Sequence, residues 1–87
     1  MAISNKQVPI GASPVIVFPS DPDGAIVALK NIGANVAYLG SSIVTYETGY
    51  KLAVDEMITI TVGPSESIYG ITESGRSVIC FFAAMNQ

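Results

Sequence analysis

At 87 residues the chain has room for one small domain, and a core of that size supplies only about 3–5 kcal/mol unaided, so a disulfide, a metal or association with other chains is expected to add to it. Cys80 is the single cysteine and there is no histidine, which excludes an intrachain disulfide and a Cys/His metal cluster and leaves association. The net charge is −3 and the four basic residues, Lys6, Lys30, Lys51 and Arg76, are scattered, whereas nucleic-acid phosphates call for clustered Lys and Arg.

Residues 1–12 show little periodicity and contain Pro9; they read as an extended N-terminal arm, with an edge strand as the alternative, ahead of a single β domain over 13–87. SPVIVF (13–18) is a short strand stopped by Pro19. In Ser20-Asp21-Pro22-Asp23-Gly24, Pro22 presets φ and Gly24 is free to take a positive φ, so the segment is a turn. AIVALKNI (25–32) and VAYL (36–39) are strands separated by Gly33-Ala34-Asn35. IVTY (43–46) is a further short strand, 47–52 a loop, and a helical turn over 52–57 is open. MITITV (57–62) alternates cleanly, with Ile58, Ile60 and Val62 on one face and Met57, Thr59 and Thr61 on the other, the pattern of a half-buried antiparallel strand. SIYGIT (67–72) is a strand in which Gly70 marks a bulge or a close backbone approach. Glu73-Ser74-Gly75-Arg76 suits a hairpin loop, and SVICFFAA (77–84) is the last strand. Short strands punctuated by turn residues predict an all-β fold, a small antiparallel β-sandwich or barrel of six to eight strands.

The last strand is apolar on both faces: Val78, Cys80 and Phe82 share one, Ile79 and Phe81 the other. In a domain this small, one face is expected to meet another subunit or to be covered by the N-terminal arm. Ile79 and Phe81 are the candidates for a subunit contact there. Ile3, Val8 and Ile10 are the apolar anchors of the arm, which either adds a strand to a neighbour's open edge or folds back on its own sheet. Only 13% of residues are charged, against about 25% in soluble domains, which also favours a surface partly covered by other chains.

No constellation supports catalysis. Cys80 lacks a base and sits among apolar residues, as a structural thiol does. Asp21 and Asp23, with Glu66 or Glu73, do not have the spacing of a Ca²⁺ loop. Asp55 and Glu56 are adjacent and read as a solvated pair. The glycines of IGANVAYLGSS match no phosphate-binding pattern, and Tyr38, Tyr46, Tyr50 and Tyr69 are spread over strands and loops rather than gathered for a sugar. The expectation is a non-enzymatic protein with no cofactor or metal. No stretch reaches the about 20 apolar residues of a membrane-spanning helix. Residues 1–11 hold one Lys and no apolar centre, so they do not read as a signal peptide, and the free thiol fits a chain made in the cytoplasm.

Residues 28–82 resemble the small β-domain virion proteins of tailed bacteriophages. The order is a strand with Asn and Gly (ALKNIGANVAYLGSS), a Val-Thr segment leading to a Gly (VTYETGYKL), an acidic position before an alternating strand (DEMITITV), then a Tyr-containing strand and a final hairpin (SIYGITESGRSVICFF). Related sequences often carry Gly-Glu where this chain has Asp55-Glu56. The resemblance implies a capsid decoration, or cement, protein located on the virion: a β-sandwich or barrel, trimeric, bound to the major capsid protein. The alternative within the same setting is a receptor- or carbohydrate-binding module of a tail fibre or baseplate.

Overall fold

The computed structural model describes residues 2–85. Eight strands follow one another: β1 (Ala2–Ile10), β2 (Val15–Phe18), β3 (Ala25–Asn31), β4 (Ala37–Gly40), β5 (Tyr50–Leu52), β6 (Met57–Val62), β7 (Ile68–Thr72) and β8 (Ser77–Met85). They build two antiparallel four-stranded sheets, β1-β8-β3-β6 (sheet I) and β2-β7-β4-β5 (sheet II). The pairs β1·β8, β2·β7, β3·β6 and β4·β5 have strand numbers that add to nine. The chain is thus one long hairpin, with residues 41–49 at its tip, rolled up so that every other connection changes sheet. This is jelly-roll topology. The two sheets pack as a sandwich and do not close, so the barrel alternative is set aside.

Alternation puts the apolar residues inside. Val27 and Leu29 of β3, Ile79 and Phe81 of β8, and Val8 and Ile10 of β1 face the interior, against Val17 and Phe18 of β2, Leu39 of β4, Leu52 of β5 and Ile68 of β7. Phe18 and Phe81 meet across the two sheets edge to face, with ring centroids 5.2 Å apart and planes at 87°; such a pair adds about 0.5–1.5 kcal/mol beyond the area it buries. Gly70 is a close approach rather than a bulge. A Cβ there would lie 2.8 Å from Val17 Cγ2, and the irregularity falls on the opposite strand, between Ile16 and Phe18.

Several boundaries differ from the sequence reading. Of the two readings of the N-terminal arm, the strand folded back on its own sheet is the one that forms: the arm is β1, paired with β8 over nine positions from Ala2↔Met85 to Ile10↔Ser77. Residues 43–46 are turn, not strand, whereas Tyr50–Leu52 of the expected loop pairs with β4 as β5. No helical turn forms over 52–57; residues 53–56 make a β-turn instead. Residues 73–76 are not a hairpin loop, because β7 and β8 lie in different sheets. The expected turn at Gly24 does form. Its N–H donates to Asp21 O (3.1 Å), Asp23 N donates to Asp21 Oδ2 (3.0 Å), and Gly24 has φ 78°.

Candidate functional site

Opposite residues of an antiparallel pair share a face, so the register of sheet I defines its outer surface. One row across the sheet is Thr61–Ile26–Ala84–Ile3, the next Thr59–Ala28–Phe82–Asn5, and the third Met57–Lys30–Cys80–Gln7. Phe82 is 57% exposed, Ile26 47% and Ile3 56%. Lys30 is the single charged residue in these three rows. The surface is therefore an apolar patch centred on Phe82, with an amide and threonine margin and the partly exposed Cys80 thiol beside it.

Of the residues expected at a contact, only Ile3 lies on this patch. Val8, Ile10, Ile79 and Phe81 point the other way and form part of the core. This corrects the sequence reading, and the reason is parity. Residues one apart on a strand face opposite sides, and the doubly apolar β8 offered two equivalent choices. The interior took Ile79 and Phe81; Phe82, Cys80 and Val78 went outward. With Phe81 and Phe82 expected on opposite faces of β8, one in the core and the other at a contact, Phe82 is the outward one; Ile26 is the surface residue that the sequence reading missed. For Phe82 the signal was its Phe81 neighbour, since adjacent residues of a regular strand face opposite sides.

The margins of the sandwich differ. Where β6 faces β4, β5 and β7, an apolar cleft of about 380 Å³ opens between the sheets, lined by Leu39, Tyr50, Ile58, Ile60, Val62 and Ile68, with Glu66 at its rim. It exists because β5 has three residues and β6 has six. Sheet II stops short, and Ile58 and Ile60 are left only partly covered.

Each end of β6 is fixed by the same device. In residues 53–56, Glu56 N donates to Ala53 O (3.0 Å) while Ala53 N donates to Glu56 Oε1 (3.0 Å); in residues 63–66, Glu66 N donates to Gly63 O (3.3 Å) and Gly63 N to Glu66 Oε1 (2.7 Å). The third residue of each turn is left-handed, Asp55 at φ 67° and Ser65 at φ 61°. The acidic residues before and after the alternating strand are thus turn clamps. Asp55 adopts the conformation that glycine favours.

A buried polar centre ties the other end of the sandwich. Asn31 is fully buried; its Nδ2 donates to Asn35 O (2.8 Å) and Leu52 O (3.0 Å), and its Oδ1 accepts from Gly33 N (3.1 Å) and Ser77 Oγ (2.6 Å). Among the described residues no buried side-chain polar atom lacks a partner, and no three acidic or thiol groups converge as a metal site would require. Asp21 and Asp23 are used in their turn. Tyr38 and Tyr46 pack together, with ring centroids 6.4 Å apart. No helix in the described residues is long and apolar enough to cross a membrane.

No protein-family model and no curated protein matches the chain. Among solved structures it is similar to a chain from a study of Bacillus endospore appendages, described there as a family of disulfide-linked pili. The TM-score is 0.51 at 14% identity, over 93% of this chain and 85% of that one. At that identity the similarity establishes the shared β-sandwich fold alone.

Proposed function

We propose that this chain is a non-enzymatic structural subunit that docks onto other protein chains through the outer face of sheet I, acting as a decoration protein on the shell of a tailed-phage head. The observation that carries the reading is the patch of Phe82, Ile26, Ile3 and Ala84, a contiguous apolar surface with one charge in three rows. Large exposed apolar patches with polar margins mark protein contacts. A cement protein binds only the assembled shell and stabilises it by that difference in affinity. The phage assignment and a trimeric state rest on the sequence resemblance. The test adds recombinant protein to shells assembled from the major capsid protein of the same phage and measures co-sedimentation. The expected result is saturable binding that Phe82→Asp weakens about a hundredfold, the scale of losing one aromatic anchor of ≥2 kcal/mol. Absence of saturable binding, or full binding by the variant, sinks the proposal.

A second reading is a subunit of a homopolymer, as in the structurally similar appendages. It is favoured by β6, an edge strand (MITITV) with neither charge nor proline, because such edges template pairing with another chain. Disulfides cannot propagate that polymer through these 87 residues: one thiol per chain joins copies only in pairs. Fibres of the purified protein in negative-stain micrographs would favour this reading over the first.

A further inference from the structure

Ile43 is 82% exposed, the most exposed large apolar side chain among the described residues. It sits in the 41–49 connection, and that connection is firmly built. Val44 beside it is buried and its N–H donates to Ser41 O (3.0 Å). Thr45 and Thr48 bind each other through their hydroxyls (3.1 Å), Thr45 N donates to Thr48 Oγ1 (3.1 Å), and Gly49 N donates to Thr45 O (2.8 Å). A loop fixed by this many bonds holds its isoleucine outward at a small entropic cost on contact. Three residues before Ile43, Gly40 lines the apolar cleft between the sheets, as does Tyr50 just after the loop. Knob and cleft are therefore neighbours on one chain.

We infer that Ile43 of one copy inserts into the β5–β6 cleft of a second copy, and that this is how the chain associates with itself. Charge selects the occupant. Glu66 is the single charged residue lining the cleft, and one of its carboxylate oxygens is already engaged by Gly63 N–H. The cleft therefore calls for an uncharged aliphatic group, and residues 39–46 around the knob carry no charge. Residues that expose one aliphatic side chain and leave Ile58 and Ile60 half-covered supply both halves of the contact. Knob and cleft are used by different copies, so the contact closes reciprocally in a pair, closes around a ring, or runs on as an open filament. It is separate from the outer face of sheet I, and it stands or falls independently of the docking role proposed for that face.

The test is sedimentation equilibrium from micromolar to about 1 mM, combined with methyl NMR over the same dilution series, on the wild type, Ile43→Glu, Ile43→Ser and Phe82→Asp. The wild type is expected to exceed its 9.1 kDa monomer mass as concentration rises, with the methyl signals of Leu39, Ile58, Ile60 and Ile68 shifting together. Both Ile43 variants are expected to weaken association by about tenfold or more, the effect of losing one buried aliphatic side chain, with thermal midpoints that match the wild type at the dilute end of the series, where the chain is monomeric, because Ile43 supports no core. Phe82→Asp is expected to leave self-association intact. A wild type that stays monomeric throughout overturns the inference. So does undiminished association of the Ile43 variants, or a concentration shift confined to Ile3 and Ile26.

Discussion

Asn31 carries four hydrogen bonds from a position with no access to water, joining β3, the Gly33–Asn35 turn, β5 and the start of β8. Replacing it with Ala would leave the Gly33 N–H, the Ser77 hydroxyl and two carbonyls without partners. The bonds to Ser77 and Leu52 are buried and those to Gly33 and Asn35 part-buried; a buried group left unpaired costs about 1–3 kcal/mol, so Asn31→Ala is expected to lower unfolding stability by at least about 2 kcal/mol in denaturant titration. A loss under 0.5 kcal/mol would mean that water replaces the side chain. The two left-handed residues allow a finer comparison. Ser65→Gly and Asp55→Gly each relieve a positive φ at the expense of a more flexible unfolded chain, and the gain is expected to be a few tenths to about 1 kcal/mol. It should be larger at Ser65, since Asp visits this region more readily than Ser. The reverse order of melting temperatures would show that the turns are not strained there. None of these roles was legible in the sequence: Asn31 looked like the end of a strand, and the acidic pair looked like solvated loop.

Strands that alternate cleanly in the sequence were legible to the residue. MITITV is β6 as read, with its three-and-three division of faces. Strands that owe their existence to a partner were not. Tyr50–Leu52 is three residues long, and nothing but pairing with β4 defines it. Ala2–Ile10 carries Asn5, Lys6, Gln7 and Pro9, and its apolar residues emerge only when laid against β8. The candidate contact suffered from the same limit, because alternation shows which residues share a face and is silent on which face is inward. The structure makes β1 integral. Ile10 is 2% exposed, and Ile10→Ala is expected to cost about 2–5 kcal/mol, a large share of the about 5–15 kcal/mol that holds a domain together. Removing residues 1–10 is expected to abolish the cooperative thermal transition. A truncated chain that still melts cooperatively near the wild-type temperature would show that β1 is dispensable and free for exchange.

At the scale of the whole molecule, the rolled hairpin separates three surfaces that a less convoluted chain would mix: an apolar sheet face, a lateral cleft and a rigid tip. The all-β class followed from turn spacing alone, but the jelly-roll order did not, because it depends on pairings between strands as distant as β1 and β8. That pairing also sets Ala2 beside Met85, with Cα atoms about 5 Å apart as in any antiparallel neighbours. The two ends of the described chain therefore leave from one corner, and the 41–49 tip is the one connection that stays within a sheet. A circular permutant that joins the old ends through a short Gly/Ser link and opens between the exposed Ala12 and Ser13 of the β1–β2 connection is expected to keep the wild-type fold and melt cooperatively, because exposed loop sites tolerate a break. By the same geometry, two cargoes fused to the old ends would emerge side by side, making the domain a single-point mount that carries paired loads.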